Sequence, residues 1–164
     1  MLLSPPPMVD INGKWEDILK RLYEVFERDF KKSKTYHKED VVVYDNNVKS
    51  DGKGMEEGFW HVITKDTRDK KTREVIERLF EPRRAERLSW AKPLIENHRA
   101  KNVKYWNYDK GTKDKGIRTY IWLEDEDFLV VLQRRKNCYF WITSMYVNSQ
   151  KNRDELLREY YQRV

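Results

Sequence analysis

"GIRTYIWLEDEDFLVVLQRRKNCYFWITSMYV", residues 116–147, decides the fold class. It contains three runs of apolar, aromatic and β-branched residues: "GIRTYIWL", "FLVVLQRR" and "CYFWITSMYV". Between them stand only "EDED" (124–127) and "KN" (136–137), connections short enough for hairpins. Upstream, "VKYWNY" (103–108) supplies another run, separated by the turn-rich loop "DKGTKDKG" (109–116). The expectation is an antiparallel meander of roughly four strands.

Further toward the N-terminus the period changes. Trp15, Ile18, Leu19, Leu22, Phe26 and Phe30 recur at spacings of three and four, the mark of an amphipathic helix. Before it, "SPPPMVDINGK" (4–14) carries three prolines, which forbid helix and favour an extended arm. "VVVYD" (41–45) and "FWHVIT" (59–64) read as short strands, Thr67 to Leu79 as a helix, and Arg83 to Asn97 as another. "NRDELLREYYQRV" (152–164) reads as a closing helix. The predicted fold is α+β: N-terminal helices packed on the meander, with a C-terminal helix. A Pro-rich arm (1–14) precedes a single domain (15–164).

Composition limits the function classes. The 164 residues include 38 % charged and 13 % aromatic side chains, so the chain can collapse around a core and is not a disordered one. Thirty-four Lys and Arg against 28 Asp and Glu leave a net charge of +6, compatible with a polyanionic partner. Cys138 is the only cysteine, which fits a thiol-reducing compartment. No apolar stretch approaches membrane-spanning length, and a soluble, cytoplasmic protein is expected. Three scattered histidines form no zinc motif, and there is no nucleophile elbow, P-loop or dinucleotide fingerprint. No metal or cofactor is therefore expected. The acidic tetrapeptide Glu124–Asp127 reads as a solvated turn rather than an ion site, and the loop with Lys110, Lys113 and Lys115 as a possible contact for a phosphate backbone.

Several polar residues interrupt apolar patterns. On a wheel at 100° per residue, Arg84 and Arg87 fall within the arc of Leu88, Ala91, Leu94 and Ile95. A guanidinium on a packed face needs an acceptor: a carboxylate, water reached by snorkelling, or a phosphate waiting in a cleft. In the meander, Arg118, Tyr120 and Trp122 share one face. Thr143 and Ser144 place hydroxyls on the last strand, where either bonds to main chain or serves a site. His61 stands on the presumed strand with Lys65 on the same side, and histidine titrates near neutrality. Lys65 would favour the neutral, base-competent ring.

An early histidine strand, "ERLSWAKPLIEN" (86–97) on a helix, then "RTYIWLEDEDFLVVLQRR" and "YFWITSMYV" resemble phage-type members of the barnase–EndoU–colicin–RelE-like ribonuclease superfamily. The resemblance spans about residues 58–147. It implies a metal-independent ribonuclease in which His61 is the acid or base. Arg87 or Arg118 would hold the scissile phosphate, and Thr143, or Ser144, would complete the site. Lys65 and Arg84 would assist substrate binding, and Trp106, Tyr120 and Trp122 are candidates for stacking a splayed base. RNA is the expected partner, with an antitoxin or immunity protein as a further one. The alternative is an accessory protein that grips RNA or a host protein without chemistry.

Overall fold

The apolar stripe of residues 15–26 forms helix α1 (Trp15–Phe26), which buries Ile18, Leu19, Leu22 and Phe26. It runs on into a π-helical turn over Glu27–Lys32, which lays Phe30 on Trp141 with ring centroids 4.4 Å apart. This computed structural model describes residues 1–112 and 115–164, so Lys113 lies outside the described residues. A small hairpin follows, β1 (Tyr36–His37) and β2 (Asp40–Val43), turned through Lys38 in the left-handed region at φ +56°.

Two expectations fail in the next segment. Residues 59–63 are not a strand but helix α2 (Glu57–Ile63). Phe59, Trp60, Val62 and Ile63 are all buried and His61 alone is exposed, a helix sunk on nearly every side. A short apolar run of this kind has no period that separates strand from helix. Gly58 seats the helix: a Cβ there would stand 2.9 Å from Tyr44 Cβ and 3.1 Å from the Asp45 carbonyl. Nor are residues 67–79 helical. They belong to a two-stranded ribbon, β3 (Thr64–Arg68) and β4 (Val75–Phe80). Asp69 makes the turn, its Oδ1 accepting from the amides of Lys71 and Thr72 at 2.8 Å each. Such side-chain competition for main-chain donors disfavours helix.

The predicted helix over 83–97 is broken into α3 (Pro82–Ala85), a 3₁₀ turn at Leu88–Trp90 and α4 (Ala91–Glu96). Four strands come next: β5 (Val103–Asp109), β6 (Ile117–Leu123), β7 (Phe128–Arg134) and β8 (Cys138–Tyr146). Helix α5 (Gln150–Tyr161) ends the chain, starting on the Ser149 hydroxyl, which accepts from the Asn152 amide. The α+β class holds, but the sheet is six-stranded and mixed, in the order β1-β2-β8-β7-β6-β5. The extra pairing is parallel, Val41 to Val43 alongside Cys138 to Phe140.

The sheet curls until its two end strands meet. His37 on β1 reaches Tyr105 on β5, with Nε2 and the hydroxyl 2.7 Å apart. One face, with Ile121, Leu123, Val130, Leu132 and Trp141, packs on α1, α2 and α4 in the main core. The other, with Trp106, Tyr120, Trp122, Leu129 and Val131, packs under Leu156 of α5. The N-terminal arm is docked: the Leu3 amide binds Asn102, Trp90 Nε1 donates to the Pro6 carbonyl, and the Val9 amide donates to the Glu86 carbonyl.

Candidate functional site

A bulge on β8 opens the site. Val131 pairs with Thr143 and Leu132 with Trp141, so Ile142 is the extra residue. Ile142 and Thr143 both line a 410 Å³ cleft over the α5 side of the sheet, where strict alternation would have placed them on opposite faces. Lys65, Arg84, Arg118 and Tyr120 line the same cleft. A second cavity of 280 Å³ adjoins it, lined by His61, Asp66, Arg68, Arg118 and Ile142 among others. Arg118 and Ile142 belong to both, so the two hollows adjoin across these side chains, with His61 in one and Lys65, Arg84 and Thr143 in the other.

His61 is positioned by α2, whose C-terminal carbonyls are held from outside. Arg84 Nη1 donates to the carbonyls of His61 (3.1 Å) and Thr64 (2.7 Å), and the Thr64 hydroxyl donates to the Trp60 carbonyl at 2.6 Å. These bonds satisfy acceptors that every helix end leaves open. The imidazole remains solvent-accessible while protein crowds around it. Its pKa is lowered, first by this desolvation and then by the Arg84 guanidinium, with Arg68 adding to the effect and Asp66 opposing it. The ring is thus neutral at pH 7 and able to accept a proton. The cations responsible are Arg84 and Arg68, in place of the expected Lys65.

Arg84 itself is largely desolvated, which lowers its pKa, while Glu81 and Asp66 offset part of its charge. Arg118 is half-buried, its Nε donating to the Lys115 carbonyl at 2.9 Å. Burial lowers its pKa too. Guanidinium groups with open donors at a concave surface suit a phosphate.

Arg87 departs from the wheel because the helix breaks at its own residue. Its Nη1 donates to the Arg83 carbonyl and to Glu86 Oε1, both at 2.8 Å. Its guanidinium lies over the rings of Tyr146 (4.4 Å) and Trp90 (5.2 Å), so it is a packing residue that lines neither cavity. Ser144 is sealed in the core, against Val130. Trp106 and Trp122 are 2 % and 0 % exposed beneath α5, which leaves no ring face for a base. Tyr120 does line the cleft, its ring stacked on Trp106 at 4.9 Å. Two of the four carboxylates of the acidic turn are ion-paired: Glu124 with Lys104 and Arg153, and Asp127 with Arg153.

Sequence reasoning missed a second histidine cluster. His37, in the basic run "KKSKTYHK" (31–38), is fully buried. Its Nδ1 faces the Ile95 carbonyl at 3.4 Å, so that nitrogen carries the proton and Nε2 accepts from Tyr105. His98 and Tyr139 lie edge-on to its ring at 4.6 Å each. Burial, then His98, pushes its pKa down to about 4, and burial raises Tyr105 to about 12. No local pattern announced this, because the partners come from α4 and the turn after it, β5 and β8.

Among the described residues no helix is long and apolar enough to cross a membrane. Comparison with protein-family models, curated proteins and solved structures finds no match for the chain.

Proposed function

We infer that the protein is a ribonuclease that uses the substrate's own 2′-OH as nucleophile. The observation that carries this reading is the shared wall: Arg118 borders both the His61 cavity and the cleft of Lys65, Arg84 and Thr143. A phosphodiester lying across that wall would place its 2′-OH toward His61 and its non-bridging oxygens toward Arg118 and Arg84. His61, neutral at pH 7, takes the 2′-OH proton as the 2′ oxygen attacks phosphorus. The P–O5′ bond breaks, and the departing oxygen takes a proton from water at the open mouth. The guanidinium groups stabilise charge gathering on the phosphoryl oxygens, and the Thr143 hydroxyl orients the phosphate. The products are a 2′,3′-cyclic phosphate and a 5′-OH.

RNA incubated with the protein in EDTA tests the reading. Cyclic phosphate ends are expected, with no cleavage of DNA or of RNA methylated at every 2′-OH. Cleavage of DNA, or intact RNA beside salt-sensitive RNA binding, would replace the nuclease with a binding module.

A further inference from the structure

The 410 Å³ cleft extends well beyond the groups that the reaction needs. Its volume falls within the range of small-molecule sites, roughly 300–1,000 Å³. Leu129, Val131, Ile142, Met145 and Leu156 make an apolar floor. Lys65, Arg84 and Arg118 line it too, with Glu81 near Arg84, and so do Glu159 of α5 and its ion-pair partner Lys110. An apolar floor beside guanidinium groups and a carboxylate suits a ligand of mixed chemistry.

Glu159 is the informative member. Its side chain is 13 % exposed, and Oε1 meets Lys110 Nζ at 3.3 Å. The other oxygen, Oε2, is buried without a hydrogen-bond partner among the described residues. Tyr120 is a neighbouring donor: burial raises its pKa most and side-chain contact with Glu159 raises it further, yet Oε2 itself is left without a bond. An unmatched buried carboxylate oxygen is costly, and a donor supplied by a ligand would relieve that cost. The last torsion of a glutamate is soft, so a small rotation turns Oε2 toward the cleft that the side chain lines. Arg84 Nε is likewise buried and unmatched among the described residues.

We propose that this cleft is a mononucleotide subsite: the phosphate lies at Arg84 and Arg118, the base on the apolar floor, and an exocyclic amine of the base donates to Glu159 Oε2. It rests on the ribonuclease reading and names the base that site accepts. Adenine, cytosine and guanine present such an amine. Uracil offers only an N–H flanked by carbonyl oxygens, which repel a carboxylate. The site therefore discriminates against uracil.

The test is calorimetric titration of the intact protein with 3′-CMP, 3′-AMP and 3′-UMP. 3′-CMP and 3′-AMP should bind about tenfold tighter than 3′-UMP, the effect of one matched buried hydrogen bond. Arg118→Ala should weaken all three alike. In Glu159→Gln, Lys110 keeps the amide oxygen and the amide nitrogen takes the place of Oε2. The preference should then swing toward 3′-UMP, whose carbonyl accepts from it, a reversal that general loosening of α5 would not produce. Equal binding of the three nucleotides, no binding at all, or an unchanged preference in Glu159→Gln would overturn the subsite. Cleavage of RNA without base preference would leave the ribonuclease standing and remove the subsite. Selective nucleotide binding without cleavage would do the reverse.

Discussion

His61 and His37 have the same first cause of pKa depression, burial, and opposite situations. His37 is sealed where the sheet's two end strands meet, with both ring nitrogens facing protein oxygens and aromatic rings on its flanks. His61 is solvent-accessible, at the edge of a concavity that it shares with Arg118. A lowered pKa alone therefore cannot single out a functional histidine; access and neighbouring charge do so. Burial of His37 fastens the curled sheet, whereas crowding of His61 keeps an exposed base unprotonated.

The sharpest way to break this contrast is to truncate each ring in turn. His61→Ala should lower RNA cleavage by about 10²–10⁴-fold with little change in melting temperature. His37→Ala should leave cleavage near wild type at low temperature and destabilise the fold by about 2–4 kcal/mol. Its loss strands the Tyr105 hydroxyl and empties a packed site. Cleavage by His61→Ala at the wild-type rate would end the assignment.

The two buried-facing arginines give the next largest difference. Arg118→Ala should reduce kcat/KM by about 10²-fold, through a higher KM from lost phosphate binding and a lower kcat from lost stabilisation of phosphoryl charge. Arg87→Ala should leave kcat/KM unchanged and cost about 1–3 kcal/mol of stability, because its guanidinium lies on Tyr146 and Trp90.

pH separates the histidines again. A group whose folded pKa is depressed binds fewer protons folded than unfolded, so stability falls as pH drops below the unfolded value. For His37 the window runs from 6.5 to about 4. Denaturant titrations across it should lose about 2–3 kcal/mol, less in His37→Phe. His98 and Lys38 oppose protonation of the ring, and Asp40 favours it. Cleavage should fall on the acid side with a midpoint below 6.5, since His61 must be neutral.

The smallest effect concerns how His61 is held. Gly58→Ala drives a methyl to 2.9 Å from Tyr44 Cβ and should cost about 1–3 kcal/mol. Cleavage should fall only as far as α2 shifts, and chemical denaturation beside kinetics separates the two.

The meander over 103–146 was legible because strand-forming runs are cut by short polar turns, and α1 because it buries one face. Two residues of turn between β7 and β8 likewise announced their pairing. The segment from 57 to 80 was not legible. Phe59 to Ile63 is apolar on nearly all sides, and the Asp69 turn depends on main-chain bonds that apolar spacing does not report. The parallel pairing of β2 with β8 joins residues nearly a hundred positions apart, beyond any local pattern. Within the site, the wheel placed Arg84 and Arg87 together only as long as one helix ran through both. The break at Arg87 sent Arg84 to the end of α2 and Arg87 back onto its own turn. Arg118 and Tyr120 were legible as neighbours on one strand face, but the bulge that brings Ile142 and Thr143 to that face was not.

Proton NMR of the three histidine rings, titrated with a 2′-deoxy dinucleotide that cannot be cleaved, is the most direct test of phosphate binding beside His61. Binding should shift the His61 ring signals and raise the pKa of that ring, because the phosphate's negative charge favours the imidazolium, while the His37 signals stay fixed. A His61 ring that titrates identically with and without saturating dinucleotide would contradict the account.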